Sequence, residues 1–295
     1  MITRNKPFIS FMYVLMIFLT LACILPFLLL VMSSITAEET LAVNGYSFFP
    51  EKISLDSYKF LWTTKDNMLK AFGISVFVTA VGTCANVLLT TLFAYPLSRR
   101  DLPGRNGISL FLFFTMLFNG GLVPSYMMYT GTFHIKNTIF AMLVPNLLMS
   151  AVNVLLVRTY FETSIPDALY EAAEIDGAGH LTVFGKVALP LGKPILVATG
   201  LFAALGYWND WTNGLYYVNQ EKYWGIQNLL NKMISDVQAL SSGLVSKDMA
   251  SMIATMPSVS VRMAIAFVAM LPILIVYPFL QKYFAEGIAV GAVKG

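Results

Sequence analysis

Charge is scarce in this sequence. Asp, Glu, Lys and Arg make up only 12% of its 295 residues, against roughly 25% in a soluble domain, which excludes an ordinary water-soluble fold. The net charge of +3 is too small to mark a nucleic-acid surface. Cysteine is nearly absent too: Cys23 and Cys84 lie inside apolar runs and read as buried free thiols, with no disulfide framework or metal-ligand spacing. The two histidines, His134 and His180, stand alone in polar stretches, so no His-based metal site is expected. There is no phosphate loop. Gly179, Gly185 and Lys186 come near one, but the spacing is one residue too long and Val187 stands where Ser or Thr is required. Neither a Ser/His/Asp order nor paired carboxylates fall where a pocket is expected. These absences exclude catalysis by those routes, so we expect a non-enzyme without a cofactor.

What the chain has is apolar length. Hydrophobic residues make up 57%, and the mean hydropathy is +0.69. Stretches long enough to cross a bilayer recur at Ile9–Met32, Ala71–Leu97, Ile108–Met128, Asn137–Val157, Ile195–Trp211 and Arg262–Leu280. This predicts an all-α membrane protein of six transmembrane helices. The first run is too long for a signal peptide and no small-residue cleavage site follows it. Thr20-Leu21-Ala22-Cys23 resembles a lipoprotein site, but Thr20 is wrong there and the chain stays apolar beyond it. Arg99, Arg100 and Arg105 against one Asp101 make the loop at 98–107 basic, which places it in the cytoplasm. With two crossings before it, the N-terminus is expected inside, and with six in all the C-terminus as well.

Several polar groups lie inside the spans. Thr79, Thr83, Asn86 and Thr90 share one helical face. They fit either interhelical hydrogen bonding or a solute pathway, and Asn86 is the better pathway candidate. Asn119, Gly120, Gly121 and Pro124 predict a kink in the third span. Pro145, Asn146 and Asn153 lie in the fourth. The fifth ends in Gly206-Tyr207-Trp208-Asn209-Asp210-Trp211, with Asn209 about 20 Å beyond Pro194. That cluster fits an interfacial aromatic belt. It also fits sugar recognition, in which aromatic faces stack on pyranose rings while Asn209 and Asp210 bond hydroxyls. Pro272 and Pro278 are expected to bend the sixth span.

Between the fourth and fifth spans lies a polar stretch, Ser164–Pro190. Ser164 and Asp167 fit a capping box, Pro166 is tolerated in a first turn, and Gly177 offers a C-cap. This predicts a helix over Ile165–Asp176, about three turns long, with Ala168, Ala172 and Ile175 on one face and Leu169 and Ala173 beside it. A second short helix should carry Leu181, Phe184 and Ala188, with Pro190 and Pro194 breaking the chain after it. On physics alone, an ordinary cytosolic loop fits as well as a docking element.

The residue pattern is more specific. Glu171-Ala172-Ala173, three residues, Gly177, nine residues, Val187 and then Leu189-Pro190 resembles the EAA loop of ABC importer permeases, with Val187 where the family usually has Ile. Ala94–Gly104, Trp208-Asn209-Asp210 and the tail Gly291–Gly295 extend the resemblance to binding-protein-dependent carbohydrate permeases of the maltose-G-like class. Within it, the LplC/YtcP-like subfamily, linked to oligosaccharides of complex polysaccharides, is the most similar. The resemblance implies that Glu171, Ala172, Ala173, Asp176, Gly177, Leu189 and Pro190 form the coupling element that docks on an ATPase. It also implies a transport pathway, for which Asn86, Asn146, Asn153, Trp208, Asn209 and Asp210 are candidates. The expected partners are a second homologous permease, two cytosolic ATPase subunits, an extracellular or periplasmic solute-binding protein, a sugar, and membrane lipid; nucleic acid is not among them. The expected organisation is a first helix and outer loop at 1–70, a permease core at 71–281 with the coupling loop at 162–193, and a cytosolic tail at 282–295. A tail reaching the ATPases and a frayed terminus both fit the last residues. An ABC permease for a peptide, amino acid or phosphonate also fits the coupling loop. A secondary transporter fits less well, because the spans hold almost no ionisable groups for ion coupling.

Overall fold

The computed structural model describes the backbone at 6–63, 65–241 and 259–292, and side chains at 7–63, 65–235 and 259–278. Among the described residues the regular elements are all helices, and the one β feature is an isolated antiparallel bridge between Thr36 and Ile53. Two compact units divide the chain: 1–68 with 230–272, and 69–229 with 273–295.

In the first unit, α1 (Lys6–Ser34) is 29 residues long, about 44 Å at 1.5 Å per residue, enough for a hydrocarbon core of roughly 30 Å. Its apolar side chains, Phe8, Phe11, Ile17 and Phe18 among them, are more than half exposed. Such a surface is stable only against lipid. Thr20 hides its hydroxyl by donating to Met16 O at 2.7 Å. The expected polar segment after α1 holds two short helices, α2 (Glu38–Asn44) and α3 (Asp56–Thr63). Glu38 accepts the backbone N–H groups of Val259 and Ser260, both at 2.9 Å. It thereby satisfies orphan donors at the start of the last helix, Val259–Ala292, and sets a carboxylate against the positive end of its dipole. Pro272 and Pro278 both lie within that helix.

The second unit is built on α4 (Lys65–Ser98) from Leu69 onward. Its buried residues, Ala71, Ser75, Val78, Gly82, Asn86, Thr90 and Ala94, recur at three- and four-residue steps and form one stripe. Cys84 lies off that stripe. Both cysteines are free but exposed, not buried, because each occupies a helix face that no other described element covers. One end of the stripe packs with Leu143, Tyr207 and Tyr217, and the other with Val154, Phe161, Tyr170 and Phe184.

Three described helices are long and apolar enough to cross a membrane; two bent helix pairs raise the count to five. The third expected span is more than kinked. α5 (Arg105–Leu117) stops, Asn119 Oδ1 accepts the Gly121 N–H at 2.8 Å, Gly121 takes φ +86, and the chain turns by 111° into α6 (Leu122–Met127) and a π turn, Met128–Thr132. The fourth, Asn137–Val157, is not one helix. α7 (Phe140–Leu143) ends after four residues, and α8 (Ala151–Ser164) starts after seven intervening residues and runs past the expected end. The interruption holds Pro145, which lacks an N–H and disfavours helix in the residue before it, and Asn146, in left-handed conformation at φ +61.

Candidate coupling and transport sites

The helix–turn–helix between the fourth and fifth expected spans is present, with its first boundary moved. Ile165 and Pro166 are extended, at ψ 118 and ψ 133. A proline pushes the residue before it out of helical space, so the helix expected from Ile165 begins at Asp167 and runs as α9 to Ile175. Ser164 ends α8 and does not cap α9; the capping box does not form. The far end closes on glycine as expected. Gly177 has φ +78, its N–H bonds Glu174 O at 3.0 Å, and the Ala178 N–H reaches back to Ala173 O at 2.9 Å, the paired bonds of a Schellman motif. The return arm is α10 (His180–Val183), a π turn at Phe184–Ala188 and α11 (Leu189–Leu191). Pro190 does not stop it, because it sits in the first turn of α11, where its missing N–H has no helical partner to lose. The break comes at Gly192, where the chain bends 79° into α12 (Lys193–Trp208).

α9 has two faces. Tyr170 is buried and Ala173 packs on the same core as Val187 and Leu189 of the return arm. The other face is open: Ala168, Glu171 and Ala172 are exposed, Leu169 is 44% exposed and Ile175 86%, and Leu181 beside them is 82% exposed. Glu171, Ala172, Ala173, Asp176 and Gly177 therefore lie on one helix and its cap, braced by Leu189, with Pro190 exposed next to it. Glu171 borders a cleft of about 380 Å³, lined also by Ser98, Arg99, Glu162 and Asp167. Beneath it, burial pushes the Tyr170 phenol up to about 12. The Arg99 guanidinium lies 4.5 Å from that ring and meets its π face.

The transport candidates do not form one cluster. The interruption between α7 and α8 strips three carbonyls of helical partners, and each is met by a side chain from another element. Tyr207 Oη of α12 donates to Leu143 O at 2.8 Å, Asn213 Nδ2 of α13 (Thr212–Tyr217) to Pro145 O at 3.0 Å, and Asn86 Nδ2 of α4 to Leu147 O at 2.7 Å. Asn86 is 2% exposed, and its Oδ1 also accepts from Thr90 at 3.4 Å. Trp208 is buried too, edge-on to Phe72 with ring centroids 5.7 Å apart. Asn146 and Asn209 are exposed and Asn153 is half-buried. Asn209 folds its amide back onto Leu205 O at 2.9 Å. Asp210 uses Oδ1 to start α13, accepting from Thr212 Oγ1 at 2.7 Å and Thr212 N at 3.1 Å; its Oδ2 is buried without a partner.

A model of the family described as "Binding-protein-dependent transport system inner membrane component" matches residues 1–290. The chain belongs to this family. It is a membrane-embedded transport subunit, not an enzyme, and such a subunit works with a solute-binding protein and an ATPase. The subunit is 36% identical over 274 residues to protein LplC of Bacillus subtilis (strain 168), covering 92% of this chain and 90% of that protein. It is 35% identical over 294 residues to the polygalacturonan/rhamnogalacturonan transport system permease protein YtcP of the same organism, covering 99% and 100%. Among solved structures, it is similar to a chain of a bacterial ABC transporter involved in the import of the acidic polysaccharide alginate. There the TM-score is 0.80 and the identity 27%, with 96% of this chain and 99% of that chain covered.

Sequence reasoning missed the residues that hold these parts in place. Arg99 pairs with Glu174 of α9, Arg105 and Arg158 pair with Glu162 of α8, and Tyr207 and Asn213 cap the interruption. The basic loop and the unusual polarity of Asn213 beside Trp211 were the only signals.

Proposed function

We propose that this chain is one of two homologous permease subunits of an ATP-driven importer that brings oligosaccharides into a bacterial cell by alternating access. It crosses the membrane six times with both ends in the cytoplasm, through α1, α4, α5 with α6, α7 with α8, α12, and the helix Val259–Ala292. Residues 1–70 supply the first crossing and an outer loop, 71–281 the permease core, 162–193 its coupling loop and 282–295 a cytosolic tail. ATP binding closes two ATPase subunits, α9 moves with them, the spans tilt, and the cavity opens outward to receive sugar from a binding protein. Hydrolysis reverses the motion.

The observation that carries this reading is the open face of α9. Leu169, Ile175 and Leu181 are exposed on a well-capped element whose other side is packed. Burying such side chains against a partner returns about 1.5–3 kcal/mol each, enough to offset part of the cost of association. Glu171, Ala172, Asp176 and Gly177 shape that face, and Ala173, Leu189 and Pro190 brace it. The sugar assignment is supported by the relatives' polygalacturonan, rhamnogalacturonan and alginate. Of the pathway candidates, Asn146, Asn153, Asn209 and Asp210 have polar atoms to offer a solute, whereas Asn86 holds the interrupted segment and Trp208 is buried against Phe72 of α4.

The test is recovery of the tagged, gently solubilised chain with whatever accompanies it. An ATPase, a second permease and a saccharide-binding protein are expected. An amino-acid or peptide binder would keep the mechanism and overturn the sugar. A folded chain that brings down no ATPase would overturn the coupling assignment.

A further inference from the structure

The loop from α4 to α5 carries Arg99, Arg100 and Arg105. Two of the three are fastened to other elements. Arg99 lies one residue beyond α4, with its side chain 19% exposed. Its guanidinium sits on the Tyr170 ring and donates from Nη2 to Glu174 Oε1 at 2.7 Å. Tyr170 and Glu174 are four apart on α9, so a single cation grips that helix along one turn. A charge-assisted bond combined with contact to a buried ring is the strong form of such a pairing. Arg100 and Asp167, 3.8 Å apart and both more than half exposed, contribute little by comparison. Arg105 instead pairs with Glu162 of α8 at 2.8 Å. Arg158 of the same helix donates to Leu97 O and Ser109 Oγ, both at 3.1 Å. The ends of α4, α5 and α8 are thus tied to one another; α9 joins α8 through the extended pair Ile165–Pro166 and shares an apolar core with α4 and α8 through Tyr170. Arg99 Nε is buried without a hydrogen bond, 3.6 Å from Asp101 Oδ1, which gives the guanidinium a second carboxylate on its own loop.

We infer that Arg99 is the positioning residue that carries displacement of α9 into the end of α4. The chain's own path into α9 is the extended pair after Ser164, which is less rigid than a helix. The apolar packing of Tyr170 against the end of α4 is non-directional, and the hydrogen-bonded tie from α9 to that end runs through this guanidinium. The inference rests on the reading of α9 as the ATPase-docking helix.

The test uses the assembled transporter in lipid and follows amide exchange on addition of ATP with vanadate, a probe that requires no knowledge of the sugar. In the unmodified complex, exchange should change both at 167–175 and at 94–101. In Arg99→Ala the change at 167–175 should remain, while that at 94–101 falls about fivefold. Arg99→Lys keeps a charge for Glu174 but lacks a flat face for Tyr170, and should fall between. A full response at 94–101 in Arg99→Ala overturns the inference. If Arg99→Ala does not assemble, Glu174→Gln replaces it, and a full response at 94–101 in that variant overturns the inference equally. No response at 167–175 in the unmodified complex would sink the docking reading, and this inference with it. A response there in both forms isolates the role of Arg99.

Discussion

A Cβ built on Gly82 would lie 2.5 Å from the Tyr207 ring, whereas one built on Gly73, on the same helix, meets nothing within 4 Å. The two glycines therefore predict opposite outcomes. Gly82→Ala must push α4 off α12 or rotate a ring whose hydroxyl holds Leu143 O. Overpacking of this kind costs about 1–3 kcal/mol. Gly73→Ala adds no contact and removes the glycine penalty in a helix, a gain of about 0.5–1 kcal/mol. Thermal unfolding of the purified chain should show the midpoint falling for the first variant and holding or rising for the second. Equal shifts would mean that the α4–α12 approach is not tight.

At the scale of elements, the interruption between α7 and α8 has the sharpest consequence. Asn86→Leu keeps the number of side-chain heavy atoms and removes the donor to Leu147 O. A buried carbonyl left without a partner costs about 1–3 kcal/mol. The variant should unfold at lower temperature while the surviving folded fraction still imports. An unchanged midpoint with abolished uptake would instead make Asn86 a pathway residue. The same region shows where the sequence could be read. Apolar length alone located α1, α4 and Val259–Ala292, because each is a single unbroken helix. Pro145, Asn146 and the Asn119–Gly121 run were visible, but they read as kinks inside continuous spans. Whether a break is tolerated depends on side chains that take over the freed carbonyls. Those donors sit 61, 64 and 68 residues away, a separation that no local pattern encodes. The helix–turn–helix at 167–191 was legible because its Glu171, Gly177 and Leu189-Pro190 lie within one short stretch. Its fastening was not, since Arg99 and Glu174 are 75 residues apart.

At the scale of the whole molecule, the exposed apolar area is of two kinds. The surface of α1 is broad and carries no charge beyond its ends, as lipid requires. Leu169, Ile175 and Leu181 are instead single exposed apolar side chains on a short element that also carries Glu171 and Asp176, as a polar-rimmed protein contact requires. The two are separable by chemistry. With Cys23 and Cys84 replaced by Ala, a cysteine introduced by Ile175→Cys should react rapidly with a water-soluble maleimide in the chain alone. It should be shielded once the ATPase subunits are bound. Equal labelling in both states would remove Ile175 from the interface.

The three donors on the interrupted segment also order events during synthesis. Pro145 O has to wait for Asn213, which leaves the ribosome 68 residues later, roughly 3–14 s at about 5–20 residues per second. Asn86 is made first and Tyr207 shortly before Asn213, so the segment is only partly satisfied for most of that interval. Until α12 and α13 bring Tyr207 and Asn213, residues 143–150 cannot lie bare in hydrocarbon. Their final place in the bilayer is taken late, after chain that lies beyond them in the sequence.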